Sequence, residues 1–115
     1  MDKKIAEKVL QRANGYCEVC GKVLGDDYAL HHRKLRSRGG KDEVANIIAI
    51  HHSCHNTGTD SIHLNPQKAT LKGWMIPSYG IPTEFPFHTP EGDIVKLTNE
   101  GTKERLDNGI NISNW

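Results

Sequence analysis

The amino-acid sequence predicts a small α+β domain that a structural zinc ion holds together. The chain has 115 residues, 36% of them apolar and 25% charged, which is the size and composition of one globular domain. Helical patterns and short strand-like apolar segments both occur along it. Two pairs of zinc-type ligands, each with two residues between its members, flank a strand-loop-strand pattern. Together these observations indicate a mixed fold with a metal staple.

The first element is a helix over residues 2–13. Ile5, Val9 and Leu10 fall at i, i+4 and i+5 on one face, and lysines fill the other face. Gly15, in the pair Asn14-Gly15, predicts the end of this helix. The segment CEVCGK that follows is typical of a tight turn that presents two thiolates to one ion.

Two strands are expected next. Residues 27–35 (DYALHHRKL) form the first, and the paired glycines of SRGGKDE predict a loop after it. Residues 44–50 (VANIIAI) are apolar and β-branched, so they form either a second strand or a strand-like entry to a helix.

The C-terminal half reads as an extension of this core. Asn65-Pro66 fits an N-cap with proline at the first helical position, which predicts a short helix over PQKATLK that Gly73 closes. Prolines recur through residues 77–90, which indicates an extended segment, and residues 93–97 and 102–106 are typical of a β-hairpin. Residues 107–115 are predicted to be partly disordered. We therefore divide the chain into a core, residues 1–64, and an extension, residues 65–115, that packs on it.

Four residues make up the predicted zinc site. Cys17 and Cys20 form C-x-x-C, and His51 and Cys54 form H-x-x-C, the donor set of a tetrahedral structural zinc. Residues 17–63 have few large apolar side chains, and a structural zinc can contribute roughly 10–16 kcal/mol. A redox C-x-x-C is the rival interpretation, but the surroundings lack the βαβ pattern of thioredoxin-like proteins. His52 could replace His51, with poorer spacing to Cys54.

The remaining histidines of this region indicate a second site. His31 and His32 are neighbours on the first strand, so their side chains point to opposite faces and suit different roles, one as ligand and one as acid or base. Cys54 and His55 diverge by about 100° on a helix. One can therefore face the zinc while the other faces elsewhere.

These residues carry a resemblance to a known family. His32, Asn46 and His55, framed by the four zinc ligands, resemble the HNH endonuclease motif in its zinc-containing form, through HHRKLRSRGGKDEVAN (31–46) and IIAIHHSCHN (47–56). The resemblance covers residues 10–63 and implies a ββα-metal (His-Me finger) core, a β-hairpin and a helix around a catalytic divalent ion. Residues 65–87 resemble the tail of small phage-encoded HNH nucleases, some found beside terminase genes.

The resemblance also implies roles for single residues. His32 is the general base that activates water, and Asn46 holds the loop and orients His32. His31 and His55 bind the catalytic ion, which is Mg²⁺, Mn²⁺ or Ni²⁺. His63 or Asp60 is a candidate for a further ligand, and His51 stands where many relatives have cysteine.

A basic loop directly follows His32. It carries five cations and no acid: Arg33, Lys34, Arg36, Arg38 and Lys41. A solvated surface loop is one interpretation, because the net charge of the whole chain is only +1. Beside a nuclease site, the same residues are expected to contact backbone phosphates of DNA without reading sequence.

The predicted function is a metal-dependent DNA endonuclease of low sequence specificity, with a role in phage DNA packaging and terminase as a candidate partner. The alternative is a non-catalytic, zinc-stapled module that binds DNA or protein. A bacteriocin-type toxin fits less well, since no receptor-binding segment precedes the nuclease. The N-terminus lacks the apolar run of a signal peptide, and no stretch approaches the roughly 18 apolar residues of a membrane span. We expect a cytoplasmic protein without a membrane partner; the sequence does not predict its oligomeric state.

Overall fold

The structure is a computed structural model that describes residues 1–106, so the prediction for residues 107–115 lies outside the described residues. Within them the chain has both helices and strands, as the α+β prediction requires. In chain order the elements are α1 (Lys3–Ala13), β1 (Tyr28–His32), β2 (Ile47–His51), a helical turn (Ser53–Thr57), α2 (Pro66–Leu71), β3 (Phe87–His88), β4 (Ile94–Leu97) and β5 (Lys103–Arg105).

Helix α1 lies where the apolar pattern predicts it. The carboxylate of Asp2 caps it by accepting a 2.8 Å hydrogen bond from the Lys4 amide, and Val9 is buried on its inner face. The helix ends at Ala13, as predicted, and begins at Lys3, one residue later than predicted. Asn14, rather than Gly15, is the cap and takes a left-handed conformation with φ of 52°, which asparagine tolerates better than most residues.

Strands β1 and β2 form an antiparallel hairpin in which Tyr28 pairs with His51 and His32 with Ile47. Strand β1 is shorter than predicted: the amide of Arg33 still donates to the carbonyl of Asn46, and the chain then turns into the loop. The residues before β2 form a 3-10 turn, Val44–Asn46, rather than the start of a strand. The four apolar residues Ile47–Ile50 are fully buried, so β2 is covered on both faces.

A buried ion pair ties α1 to the segment that carries the first two cysteines. The Arg12 guanidinium donates to the Glu18 carboxylate at 2.8 and 2.9 Å, and both side chains are almost completely buried. The same carboxylate accepts the amide of Ala49 on β2 at 2.9 Å, while Arg12 donates to the carbonyl of Val44 at 3.0 Å. These contacts hold three segments together: α1, the turn that carries Cys17 and Cys20 (the cysteine turn), and β2.

The C-terminal extension contains α2 and a second, antiparallel sheet in the order β3-β4-β5. Pro66 opens α2, and the predicted hairpin is present as β4 and β5. Strand β3 was not predicted, because its two residues are too short to show a pattern. Phe87 of β3 and Leu97 of β4 join Val9 and Ile50 in one continuous buried core. The division of the chain at residue 64 stays a prediction.

No helix in the described part of the chain is long and apolar enough to cross a membrane.

Candidate functional site

Four side chains meet where the cysteine turn lies against the end of β2. The ligand atoms of Cys17, Cys20, His51 and Cys54 all lie within 4.8 Å of one another. Sγ of Cys20 is 3.3 Å from Nδ1 of His51, and Sγ of Cys17 is 3.9 Å from Sγ of Cys54. The first two cysteines come from the turn after α1, His51 ends β2, and Cys54 follows on the helical turn.

The chemistry of this cluster fits a zinc ion. Nε2 of His51 donates to the carbonyl of Val23 at 2.7 Å, which leaves Nδ1 free to bind a metal. Burial, and then the charges of Cys17 and Cys20, raise the pKa of the Cys54 thiol to about 12. Burial opposes ionisation of Cys17, but amide hydrogen bonds from Cys20, His51 and Val19 bring its pKa below the ordinary value. Three thiolates can share such a space only around a cation, and Cys₃His is a common donor set of structural zinc.

A second cluster lies on the other side of the helical turn. The ligand atoms of His31, His55 and His63 also lie within 4.8 Å of one another, and Nε2 of His55 is 3.1 Å from Nε2 of His63. The loop after the helical turn folds back, because the amide of His63 donates to the carbonyl of His55 at 3.1 Å. This return brings His63 into the cluster. Asp60, the other candidate third ligand, is not part of it.

His31 is the buried member of this cluster, with 2% of its surface exposed. Its Nε2 lies 2.9 Å from the carbonyl oxygen of Trp74, so the ring donates there and keeps a lone pair on Nδ1. Burial, partly opposed by that hydrogen bond, lowers the pKa of His31 to about 3. Partial burial, followed by the electrostatic effect of the neighbouring His63, also lowers the pKa of His55. Neutral imidazoles are the form that binds a metal ion.

His32 lies on the opposite face of β1 and outside both clusters, as the alternation of side chains along a strand predicts. Its Nε2 is 2.7 Å from Oδ1 of Asp42, in the loop that returns toward β2. Arg36 donates to the same carboxylate at 2.9 Å. Sequence reasoning missed Asp42. An acidic residue in the loop that closes the hairpin was the available signal, but only the folded loop brings it to His32.

Asn46 is fully buried and holds the loop in place. Its Oδ1 accepts the amide of Lys34 at 2.7 Å, and its Nδ2 donates to the carbonyls of Lys34 and Lys41 at 3.1 and 3.0 Å. These bonds join the two ends of the basic loop. The hydrogen bond of the His32 ring goes to Asp42 and not to Asn46.

The structure corrects the prediction that Arg33 contacts DNA. Arg33 has no exposed surface, and its guanidinium lies 5.4 Å from the centre of the Phe87 ring. Its N–H groups donate to four carbonyl oxygens, those of Gly73, Ala45, Pro82 and Phe85, at 2.8 to 3.1 Å. Arg33 therefore joins the end of β1 to the C-terminal extension and cannot reach a ligand in solvent.

The other four basic residues remain accessible. Arg36, Arg38 and Lys41 are exposed and Lys34 is half-buried. Arg38 also donates to the carbonyl of Ile76 at 3.2 Å, which fastens the loop to the extension. The accessible cations thus lie on the same loop as Asp42, next to His32.

One comparison with known proteins finds a match. Residues 17–61 match the family model described as HNH endonuclease, less than half of the chain. The matched span begins at the first zinc-type cysteine and contains His31, His32, Asn46 and His55; His63 lies two residues beyond it. Searches of curated proteins and of solved structures find no match for this chain.

Proposed function

We propose that this chain, whose residues 17–61 match the HNH endonuclease model, is a metal-dependent endonuclease that hydrolyses phosphodiester bonds in duplex DNA with little sequence preference. The observation that carries the proposal is the pairing of a three-histidine cluster on one face of β1 with His32 on the other. A binding module has no use for this combination. We further propose that the β1–β2 hairpin and the helical turn correspond to the ββα-metal core of the family.

His31, His55 and His63 would hold the catalytic ion, and the zinc of the Cys17 cluster would fix the helical turn that carries His55. A divalent ion bound there supplies charge stabilisation to the phosphate and to the leaving oxygen. Three neutral imidazoles suit nickel and similar transition ions better than Mg²⁺, which prefers oxygen ligands. We therefore expect Ni²⁺ to support cleavage at lower concentration than Mg²⁺.

His32 would act as the general base. With Nε2–H donated to Asp42, the lone pair on Nδ1 is available to take a proton from water. The water oxygen then forms a bond to phosphorus as the bond to the 3′ oxygen breaks, and the leaving oxygen takes up a proton from solvent. The family resemblance implies that the products carry a 5′-phosphate and a 3′-hydroxyl. Proton transfer to a positioned side chain contributes typically 10²–10⁴-fold to the rate.

The accessible cations of the basic loop would contact the DNA backbone. Lys34, Arg36, Arg38 and Lys41 offer charge near His32, and phosphate contacts position a duplex without reading its sequence. Low sequence specificity follows from this assignment. The affinity should fall steeply as salt concentration rises, because phosphate neutralisation releases counterions.

The direct test is cleavage of supercoiled plasmid by zinc-loaded protein in the presence of Ni²⁺, Mn²⁺ or Mg²⁺. We expect His32→Ala to lower the cleavage rate by about 10²-fold or more while leaving the fold intact. His52→Ala is the matched control. His52 follows His51 directly in the sequence but belongs to neither cluster. Its side chain is exposed, and its Nε2 lies 3.0 Å from Oδ1 of Asp27.

If wild type and His32→Ala behave alike, the nuclease assignment fails. DNA binding without cleavage under any of the three ions would instead support the alternative, a non-catalytic zinc-stapled accessory module. A role in phage DNA packaging and an association with terminase stay predictions from the sequence resemblance.

A further inference from the structure

The nuclease proposal needs His32 with a free Nδ1, and the carboxylate of Asp42 lies at the other ring nitrogen. Nε2 of His32 and Oδ1 of Asp42 are 2.7 Å apart, and both side chains are partly shielded from solvent. The hydrogen bond from His32, and then the charge of Arg36, lower the pKa of Asp42, so the carboxylate is ionised at neutral pH. An ionised carboxylate can only accept hydrogen bonds, which selects the His32 tautomer with its proton on Nε2.

Arg36 is the third member of this chain of contacts. One of its nitrogens, Nη2, donates to both oxygens of Asp42, at 2.9 and 3.2 Å. A guanidinium has five N–H groups in a planar fork, and the Arg36 side chain is 67% exposed. The N–H groups that do not face Asp42 therefore remain available to a phosphate oxygen.

The loop around Asp42 is held independently of the Asp42 side chain. The side-chain amide of Asn46 donates to the backbone carbonyls of Lys34 and Lys41. The backbone amide of Gly40 donates to the carbonyl of Leu35 at 2.9 Å. A Cβ at Gly40 would collide with the carbonyl oxygen of Lys34, so the loop closes tightly at that point. The contact between Asp42 and His32 is thus an addition to a loop that is already fixed.

We propose that Asp42 is a positioning residue for the general base: it holds His32 with Nε2 protonated and Nδ1 free, and Arg36 connects this carboxylate to a phosphate of the substrate. The inference rests on the proposed nuclease function. In this proposal, the Arg36 guanidinium contacts both the DNA backbone and the carboxylate that orients His32. Arg36 then differs from Arg38, whose nearest partner is the carbonyl of Ile76 and not the catalytic group.

The first experiment measures the His32 tautomer by ¹⁵N NMR of the ring nitrogens, in zinc-loaded protein without added divalent ion and without DNA. We expect wild type to hold the Nε2–H form alone and Asp42→Ala to show a mixture of the two neutral tautomers. Glu43→Gln is the matched control, since Glu43 belongs to the same loop but accepts from Asn99. An unchanged His32 tautomer in Asp42→Ala overturns the positioning role, whether or not the protein cleaves DNA.

The second experiment measures cleavage kinetics. Asp42→Ala should lower kcat by about 10- to 100-fold, a part of what a general base contributes, with KM changed less than about threefold. Arg36→Ala should raise KM and also lower kcat, whereas Arg38→Ala should raise KM alone. Equal kcat in the two arginine variants overturns the link through Arg36. If wild type cleaves nothing, the proposed function fails, while the tautomer measurement still decides the role of Asp42.

Discussion

Replacing Arg33 by methionine should destabilise the protein severely without weakening its contact with DNA. The side chain has no exposed surface and donates to four backbone carbonyl groups, three of them buried and that of Phe85 part-buried. Methionine fills much of the same volume but donates nothing, so these carbonyls lose their partners. A buried polar group left without a hydrogen bond costs about 1–3 kcal/mol.

Four such losses, at about 1 kcal/mol each, sum to about 4 kcal/mol. Relief from burying a cation offsets part of this, whereas loss of the stacking on Phe87 adds to it. We expect the free energy of unfolding to fall by about 3–5 kcal/mol, a large share of the 5–15 kcal/mol typical of a domain. Urea denaturation of zinc-loaded protein measures this quantity. Arg33→Lys should fall between wild type and Arg33→Met, because an ammonium has fewer donors than a guanidinium.

Lys41→Ala should have the opposite effect, with stability retained and DNA binding weakened. Lys41 is exposed, and only its backbone carbonyl takes part in holding the loop, so its truncation should leave stability within about 0.5 kcal/mol of wild type. It should weaken DNA binding and reduce the salt dependence of that binding. The reasoning about Arg33 is refuted if Arg33→Met loses less than about 1 kcal/mol of stability, or if the folded variant binds DNA as weakly as Lys41→Ala does.

Three further perturbations test the two metal clusters. Chelation of zinc, or Cys54→Ser, should unfold the chain, since a structural zinc contributes roughly 10–16 kcal/mol. Circular dichroism and zinc release measure the unfolding. A cooperative unfolding transition that persists without zinc would contradict a structural role. His63→Ala should weaken binding of Ni²⁺ at the histidine cluster by about tenfold or more in calorimetry, while His52→Ala should not; equal affinities would remove His63 from the ligand set. Because burial lowers the pKa of His31 to about 3, the unfolded chain binds a proton there below pH of about 6.5 that the folded chain does not. In zinc-loaded protein without added Ni²⁺, the free energy of unfolding should therefore decrease as pH falls below about 6.5, and His31→Gln should flatten this decrease. Urea denaturation between about pH 6.5 and about pH 5, before protons displace zinc from its thiolates, measures the effect.

The division of ligands within residues 50–56 (IHHSCHN) could be predicted from the sequence. Neighbouring residues on a strand face opposite sides, and neighbours on a helix diverge by about 100°. These local rules predicted that Cys54 and His55 would serve different clusters and that His31 and His32 would separate. The structure places Cys54 and His55 in different clusters, with His31 in the histidine cluster and His32 outside both. The spacing of the x-x pairs likewise identified all four members of the cysteine cluster.

Residues that act through distant partners could not be assigned in this way. Arg33 looked like its accessible neighbours in the basic loop, since composition does not show that Gly73, Pro82 and Phe85 surround it. The register of the hairpin and the fold of its loop bring Asp42 to His32, and no periodic pattern marks that contact. The sequence left His63 and Asp60 as alternative candidates for a further ligand. Only the folded loop, in which the amide of His63 donates to the carbonyl of His55, brings His63 to the cluster.

The sequence by itself determined the helices, most of the strands and the ligands whose spacing is set by a single element. Only the tertiary structure decided that His63 completes the histidine cluster, that Asp42 holds His32 and that Arg33 is buried. The physical reason is that helix and strand periods fix side-chain directions over a few residues. Loop closure and burial, in contrast, depend on contacts between segments that lie far apart in the chain.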